Sequence, residues 1–383
     1  MSLSSPRMTM FPGAKMLIQA ISLLPDGISE ADLMQCRLPI ANLDQCKLAL
    51  LRTSLAYSDR DKRFKALTPV REYIRAVHPP EAELVRPLTT HLYEVLMLWK
   101  SFRQIPTLES VPRIAANLGN LQNVLLWSIE QDEEDAAWQI RRVLTLDSFL
   151  RATGRGLSPL RAHLPRLFEN CQDHQARAEY IAAAFESQHL YENRVLADDW
   201  ESQGIQEFKL ANDRVGEVLD NLKVQFYNVL AAYYLYNNGN PATSEKYCEL
   251  ALALSTENHD VTGKGKALMH FSEVYEYRGN ARLGRNYARQ ARQAFIQNGY
   301  LLAQAHAMKA EIYSVFVLGN FEYVLTLCAE TKSVLAVCGM HTSELHSSIT
   351  SAEAQIHLLK TEYQTARVLQ MDILAQTLHS ERS

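Results

Sequence analysis

The chain has 383 residues and a formal net charge of −4, with 39 Lys and Arg against 43 Asp and Glu. This near-neutral balance argues against a protein built mainly to hold nucleic acid or an acidic membrane. Fifteen Gly and 13 Pro are few for this length, which disfavours a large all-β fold. All prolines but Pro241 lie at or before Pro165, so the C-terminal part carries almost no obligatory helix stops.

Cysteine usage and the N-terminus bear on the cellular compartment. The six cysteines form no CxxC pair, and a chain of this size needs no disulfide framework, so buried reduced thiols are expected. Residues 1–13 lack the apolar core of a signal peptide. The most apolar stretch, Met16–Leu24, is far shorter than the ~20 residues that cross a bilayer. We therefore expect a cytoplasmic protein that does not engage a membrane.

The first elements are short helices separated by turn residues. Apolar spacing predicts a helix over 15–24, which the turn Pro25–Gly27 ends. Ser29 has the position of a capping residue for a second helix. Asn42 is expected to cap a third helix that runs to Leu51.

A change of period then predicts one β-hairpin, with strands over Ser54–Tyr57 and Phe64–Leu67. Pro69 at a helix start introduces a fourth helix. Three helices followed by a hairpin outline a small winged-helix module over 15–80. Residues 1–14 are expected to be disordered.

Beyond the hairpin the patterns are helical almost throughout. A connector over 81–110 contains a helix from Pro87 to Phe102, and divergent helix pairs follow over 111–220. One pair joins helices over 114–130 and 136–152 through an acidic corner that is expected to be solvated.

An internal repeat over 221–383 is the strongest signal in the sequence. The dipeptides Gly239-Asn240, Gly279-Asn280 and Gly319-Asn320 are 40 residues apart, and each separates two apolar helical patterns. Glycine suits the left-handed turn between antiparallel helices. A fourth unit turns near 361–363. The fold class predicted is therefore all-α, an α-α superhelix with one N-terminal hairpin.

These units resemble tetratricopeptide repeats (TPR) in a longer form. The family needs small residues where the two helices of a unit cross, and the resemblance implies a solenoid whose first helices line a concave groove for a protein or peptide ligand. The crossing positions are Ala232, Ser244 and Ala251 in the first unit, Ser272, Gly284 and Ala291 in the second, the larger Ile312, Val324 and Thr331 in the third, and Ala366 in the fourth.

The earlier segment resembles the winged helix that follows the nucleotide-binding core of STAND-type NTPases, the NB-ARC and NACHT proteins. The resemblance rests on Ser22–Gly27, Leu51–Leu55 and Leu67–Ile74, while 117–127 is similar to the first helix of the arm after such cores. The order of modules is similar to that of large fungal NTPase–TPR proteins. It implies the sensing and regulatory arm of a signalling protein, with an NTPase domain packing on the winged helix.

The residues that would perform catalysis are missing from the sequence. No GxxxxGK[ST] loop is present to cradle phosphates, and Ala66–Thr68 stands where such NTPases often carry Met-His-Asp. No HExxH, Cys/His cluster or GxSxG motif is present either. We therefore expect no enzymatic activity, no cofactor and no metal. The alternative is a subunit or fragment of a STAND NTPase whose ATP-binding core is missing from this chain.

A winged helix can also bind DNA, which makes a DNA-binding regulator the second alternative. Arg60, Lys62, Arg63 and Lys65 cluster at the predicted wing, where they could contact phosphates. Two aspartates interrupt this cluster, and the third helix carries only Lys47 as a cation, although a groove-reading helix needs polar side chains. A solvated hairpin tip is the preferred interpretation, and nucleic acid is not the expected partner.

The predicted groove is the better functional surface, because mixed aromatic and charged side chains suit a peptide or a helix as ligand. For any one of these residues the alternative is ordinary packing between helices. The candidate partner-binding residues are Phe226, Val229, Tyr233, Tyr236, Lys266, Met269, Glu273, Glu276, Tyr277, His306, Lys309, Tyr313 and Phe316.

Overall fold

The computed structural model describes residues 11–100, 107–131, 135–191, 199–212, 218–340 and 343–380. Over these ranges the chain consists of α-helices, one short 3-10 helix and a single two-stranded antiparallel sheet, which confirms the predicted fold class. The described residues form two compact units. The first compact unit contains the described residues up to Leu146 together with Ser158–His163. The second compact unit contains Asp147–Leu157 and the described residues from Leu164 onward. No helix in the described ranges is long and apolar enough to cross a membrane.

The first unit is organised around its first helix. Its elements are α1 (Pro12–Ser22), α2 (Glu30–Gln35), α3 (Leu43–Arg52), β1 (Ala56–Ser58), β2 (Phe64–Ala66), α4 (Thr68–Val77), α5 (Ala82–Met97), α6 (Thr107–Ala115), α7 (Leu118–Gln131), the first part of α8 (Ala136–Ala152) and a 3-10 helix (Pro159–His163). Helix α1 packs against α3, α4, α5 and β2. Its Leu17 and Ile18 have no exposed surface, so this helix supplies the centre of the core.

The hairpin follows three helices and precedes a fourth, which is the predicted order. In the antiparallel register, Ala56 lies opposite Ala66 and Ser58 opposite Phe64. Strand β1 starts later than predicted because Ser54 adopts a left-handed conformation, with φ of 55°, in the turn after α3. The hairpin is therefore shorter than the sequence pattern suggests.

The start of α1 corrects the expectation that residues 1–14 are disordered. The helix begins at Pro12, and Ala14 is completely buried. Proline is favoured in the first turn of a helix, since the N–H that it lacks would have no partner there. Residues 1–10 lie outside the described ranges.

The two predicted N-caps have different outcomes. Ser29 caps α2 as predicted, because its Oγ accepts a hydrogen bond of 3.1 Å from the Asp32 backbone N–H. Asn42 stands at the start of α3 but makes no side-chain cap, and the prediction for this residue is wrong. Its backbone is left-handed, with φ of 54°, rather than in the extended conformation that directs a capping side chain to the helix.

Two predicted helix boundaries near prolines and turns also differ. Helix α5 starts at Ala82 and contains Pro87 within it, whereas the sequence pattern predicts a start at Pro87. The proline is tolerated because the carbonyl that loses its partner belongs to Glu83, on the exposed side of the helix. The helix predicted from residue 114 is split between α6 and α7. Residues 132–134 of the acidic corner lie outside the described ranges.

A hydrogen-bond network joins the turn after α1 to the start of α7. The Asp26 N–H donates to Asn120 Oδ1 at 3.0 Å, and the Asn120 N–H donates to Asp26 Oδ2 at 3.1 Å. Arg63 donates through NH2 to the Gly27 carbonyl at 2.8 Å and to Asn117 Oδ1 at 2.6 Å. Residues from three distant parts of the sequence are thus tied together in the first unit.

The second unit is entirely helical in its described part. After the end of α8 it contains α9 (Leu164–Asn170), α10 (His174–Tyr191), α11 (Trp200–Asn212), α12 (Val218–Tyr236), α13 (Pro241–Glu257), α14 (Val261–Tyr277), α15 (Ala281–Gln297), α16 (Leu301–Val317), α17 (Phe321–Val337), α18 (Glu344–Leu359) and α19 (Tyr363–Ser380). Helices α12 to α19 form the four predicted helix pairs.

The turns of this array recur every 20 residues. Residues 239, 259, 279, 299, 319 and 339 all have positive φ, between 54° and 78°, and all but His259 are glycine. The Asn of each Gly-Asn dipeptide caps the following helix; Asn280 Oδ1, for example, accepts from the Leu283 N–H at 3.2 Å. The dipeptide therefore combines a left-handed helix stop with an N-cap.

The first helices of successive units, α12, α14, α16 and α18, pack on one another as well as on their second helices. This direct contact makes them the inner layer of the array. The crossing residues are buried, including Ile312, Val324 and Thr331 of the third unit, so larger side chains are also accommodated there. We call the exposed surface of the first helices the inner face.

A buried carboxylate joins α15 to α16. Glu311 has no exposed side-chain surface, and its Oε1 accepts from Arg289 Nε at 2.8 Å and from the Tyr323 hydroxyl at 3.2 Å. Arg292 NH1 donates to Oε2 at 3.3 Å, and Arg285 Nε lies 3.9 Å from Oε1. One buried acid thus holds three arginines at this helix contact.

Candidate functional site

Residues 40 positions apart occupy equivalent places on the first helices, because the units have equal length. Tyr233, Glu273 and Tyr313 share one such column. A second column contains Tyr236, Glu276 and Phe316. Equal spacing thus predicts that charged and aromatic side chains of three helices lie on one face at matching heights.

The structure brings part of the candidate set together in one polar cluster. We call it the groove cluster; its members are Tyr236 of α12, Lys266, Glu273 and Glu276 of α14, and His306, Lys309 and Tyr313 of α16. Tyr236, Lys266, His306 and Tyr313 are exposed, and the other three are half-buried. The phenol of Tyr236 is hydrogen-bonded to Glu273, and Glu276 and Tyr313 act on it electrostatically. The cluster thus spans three successive units.

Glu273 is the centre of the cluster. Burial opposes the charge of its carboxylate, but the hydrogen bond to His270, whose Nδ1 lies 2.8 Å from Glu273 Oε2, and the positive charge of Lys309 lower its pKa. The bond donated by Tyr236 acts in the same direction. In turn, desolvation and the negative charge of Glu273 raise the pKa of the Tyr236 phenol. Glu273 is therefore a fixed negative charge on the inner face.

Glu276 has the opposite character. Desolvation raises the pKa of its carboxyl to about 7, and the negative charge of Glu273 adds to this effect. Hydrogen bonds donated by the Ser314 hydroxyl and, at 3.3 Å, by the Ser272 hydroxyl oppose the shift. This carboxyl therefore changes its protonation state near neutral pH.

His306 is uncharged at neutral pH despite its exposed position. Desolvation by the surrounding protein, together with the positive charges of Lys309 and Lys266, lowers its pKa to about 4, although Glu273 acts in the opposite direction. Positive charge at this end of the cluster is therefore carried by the two lysines.

The fourth unit contacts the cluster through Tyr313. The Tyr313 hydroxyl lies 3.0 Å from Ser348 Oγ of α18. The ammonium of Lys309 lies 5.8 Å from the centroid of the Tyr313 ring, which is within cation–π range. The orientation of this tyrosine is thus set from two sides.

Phe226 corrects the sequence analysis. It has no exposed surface and packs between Phe185 of α10 and Phe208 of α11, at ring-centroid distances of 5.9 and 5.1 Å. Helix α12, the first helix of the repeat array, has α10 and α11 as neighbours. The position of Phe226 on this helix therefore faces a core and not the groove. Phe226 cannot contact a partner in the groove.

The remaining candidates lie outside the cluster. Tyr233 packs edge-on to Phe185, and Val229 is partly buried beside the same core. Met269 packs against the core formed by α14, α15 and α16, and Phe316 stacks at a tilt on Phe321. Tyr277 is 59% exposed, so it is available to a ligand that extends past the end of α14.

Sequence reasoning missed the residues that hold the two carboxylates. His270 lies three residues before Glu273, which places the two on one side of a helix. Ser272 had been assigned only a packing role, and Ser314 is its neighbour from the next unit, with 3.5 Å between the two hydroxyls. The i,i+3 pair was visible in the sequence; the serine contact between units was not.

The basic wing of the first unit is largely occupied by contacts within the chain. Arg63 belongs to the hydrogen-bond network between α1 and α7, and Lys65 Nζ lies 2.9 Å from Asp59 Oδ2. Lys47 of α3 pairs with Glu30. These contacts leave few of the predicted cations for phosphates, in agreement with a solvated hairpin tip.

The described residues offer neither a candidate metal cluster nor a disulfide. Within the described ranges, no group of three or more His, Cys, Asp or Glu is arranged to hold a metal ion. None of the six cysteines forms a disulfide, and all six are buried. Burial raises the pKa of the Cys36 and Cys328 thiols to about 12, so these thiols are protonated and poor nucleophiles.

Comparison with known proteins finds similar structures but no family. No family model and no curated protein matches the chain. A STAND protein with a tetratricopeptide repeat sensor from Pyrococcus horikoshii is 14% identical, with a TM-score of 0.43 over 95% of this chain and 57% of that chain. A Rap protein complexed with competence and sporulation factor is 10% identical, with a TM-score of 0.49 over 95% and 99%.

A third similar structure is aspartyl phosphate phosphatase F from Bacillus subtilis, at 10% identity and a TM-score of 0.42, over 74% of this chain and 93% of that chain. The chain spans 57% of the length of the STAND protein. At these identities and TM-scores the likeness assigns neither a family nor an activity. The class of protein, a helical-repeat protein with a polar inner face, rests on its own helix pairs.

Proposed function

We propose that this chain is a non-catalytic scaffold for protein–protein interaction that binds a peptide or a protein segment on its inner face. The observation that carries the proposal is the groove cluster, in which exposed aromatic and charged side chains of α12, α14 and α16 converge. Aromatic side chains anchor ligands at low entropic cost, and fixed charges orient them. The helices beneath are packed by buried crossing residues, so the surface is preorganised.

A peptide selection tests this function. A random peptide library displayed on phage is panned against the immobilised full chain and, in parallel, against the double variant Tyr236→Ala, Lys309→Ala. We expect families of peptides that bind the native chain and lose at least about tenfold in affinity for the variant, since an anchor and a charge are removed. Glu249→Ala, an exposed change on the second helix α13, is the matched control and should bind them normally.

The outcome that contradicts the function is equally clear. If every enriched peptide binds the native chain and the double variant with equal affinity, the inner face is not the binding surface. Circular dichroism of the three proteins shows whether the variants keep their helical content, which separates a lost contact from lost folding.

The finer role is that of the sensing and regulatory arm of a STAND-type protein, with 15–80 as a winged helix. The order of three helices, hairpin and helix supports this assignment. An NTPase domain would pack on α4, which buries only Ile74 while Tyr73 and Val77 are more than half exposed. The alternative, a subunit of such an NTPase that still binds nucleotide, differs in one measurable property.

Nucleotide binding distinguishes these two roles. We expect no saturable binding of ATP or ADP to this chain in the micromolar range, because the phosphate-binding loop is missing from its sequence. Isothermal titration calorimetry with Mg²⁺ present measures this directly. A micromolar dissociation constant would favour the NTPase-subunit role.

A further inference from the structure

The groove cluster has an ordered charge distribution along the first helices. Lys266 and Lys309 lie in the N-terminal or middle turns of α14 and α16, whereas Glu276 lies in the last turn of α14. Ten residues separate Lys266 from Glu276, which corresponds to about 15 Å along a helix. Glu273 lies between these two ends.

We propose, building on the function proposed above, that the groove takes a peptide segment with one acidic and one basic side chain about four or five residues apart. An extended chain covers about 15 Å in that number of residues. The acidic group contacts Lys266 and Lys309, and the basic group lies at Glu276 between Tyr236 and Tyr313. Opposite charges on the ligand thus match those of the groove, which fixes the direction of the bound segment.

The basic end is argued from the surroundings of Glu276. The carboxyl lies in the last turn of α14, at the negative end of the helix dipole. Tyr236 of α12, Glu273 of α14 and Ser314 of α16 face it, and Gly284 of α15 packs against its side chain. None of these groups is a cation, so a guanidinium or ammonium group from the ligand supplies the missing positive charge.

Aromatic neighbours strengthen this match. Tyr236 is 52% exposed and Tyr313 39% exposed, and the phenol of Tyr236 interacts electrostatically with Glu273, Glu276 and Tyr313. Tyrosine rings attract a cation over their faces in addition to the carboxylate charge. The site therefore favours a basic side chain over an uncharged one.

Binding of the cation is coupled to a proton. The carboxyl of Glu276 has a pKa of about 7, raised by desolvation, and a bound cation stabilises only its ionised form. Binding therefore releases a proton, and affinity rises with pH. If the ligand binds only the ionised form, affinity increases about tenfold between pH 6 and pH 8. His306, with a pKa of about 4, is neutral over this range and adds no pH dependence.

The test uses the peptides from the library selection that depend on Tyr236 and Lys309. They are synthesised with acetylated and amidated ends, so that no terminal group titrates, and each is also made with its acidic residue changed to Asn or its basic residue changed to Gln. A form with a free C-terminus shows whether the terminal carboxylate can replace the acidic side chain. Affinities are measured at pH 6, 7 and 8 for the native chain, Glu276→Gln and Glu273→Gln.

We expect the selected peptides to share the acid–base pair, to lose about tenfold or more on either neutral replacement, and to bind about tenfold more tightly at pH 8 than at pH 6. Glu276→Gln, a close mimic of the protonated carboxyl, should remove the pH dependence, whereas Glu273→Gln should retain it. If groove-dependent peptides lack the pair, or the pH dependence is absent or persists in Glu276→Gln, the inference is wrong while the proposed function stands. If no groove-dependent peptide is found, both fail.

Discussion

Replacing Glu311 with alanine is expected to lower the free energy of unfolding of the second compact unit by about 3–5 kcal/mol. The side chain has no exposed surface and contacts Arg285, Arg289 and Arg292 at once. Without it, three guanidinium groups face one another at the contact of α15 with α16. The removal leaves the partly buried guanidinium groups of Arg285 and Arg292 without this carboxylate and also breaks the hydrogen bond from Tyr323.

A matched exposed pair provides the control. Glu330 also accepts from Arg292, at 2.8 Å, but it is about half exposed. Glu330→Ala should cost less than about 1 kcal/mol, because solvent screens surface ion pairs. Urea denaturation monitored by circular dichroism, with hydrogen exchange in α15 and α16 to separate the two compact units, measures both changes. A loss below about 1 kcal/mol for Glu311→Ala would show that the arginines find other partners.

Phe226→Ala is expected to destabilise the second compact unit by about 3–5 kcal/mol, the usual cost of removing a buried aromatic side chain. The ring is tightly enclosed: a Cβ added to Gly204 would lie 2.6 Å from Phe226 Cζ. Its neighbours Phe185 and Phe208 lie on two different helices, α10 and α11. The cavity left by the substitution therefore cannot be filled by movement of one side chain.

Tyr236→Ala on the same helix is the control for this substitution. Because Tyr236 is half exposed, its removal should change the free energy of unfolding by about 1 kcal/mol or less while it weakens ligand binding. The same denaturation experiment distinguishes the two residues. Equal destabilisation by the two changes would mean that Tyr236 also has a packing role.

The regular part of the fold was predictable because single residues carry the signal. Each Gly-Asn dipeptide serves as both a left-handed stop and an N-cap, so the turn at Gly279 and the start of α15 at Ala281 were predicted to the residue. The turns between units were less visible. His259 adopts the same left-handed conformation without being glycine. The other two turns, at Gly299 and Gly339, are indicated only by the spacing of these glycines.

The candidate site could be predicted only in part. The 40-residue period identifies which side chains share a column, and this was enough to select Tyr236, Glu273 and Lys309. It does not identify what lies beside α12, the first helix of the array, so it places Phe226 in a groove although α10 and α11 cover this residue. The surroundings of Glu276 also come from other helices, because Ser314 donates a hydrogen bond to its carboxyl and Gly284 packs close to its side chain. Such contacts follow from tertiary packing and leave no local pattern.

The 20-residue spacing of the turns has a consequence for how this array can change. Any insertion or deletion of 40 residues that begins and ends at equivalent turns preserves the phase of every helix, so the array tolerates gain or loss of whole units. The groove cluster is not equally tolerant, because it takes its residues from three consecutive units. An inserted helix pair of different sequence between α14 and α16 would leave each helix intact yet separate Lys309 from Glu273. The array could thus lengthen without unfolding while losing its ligand.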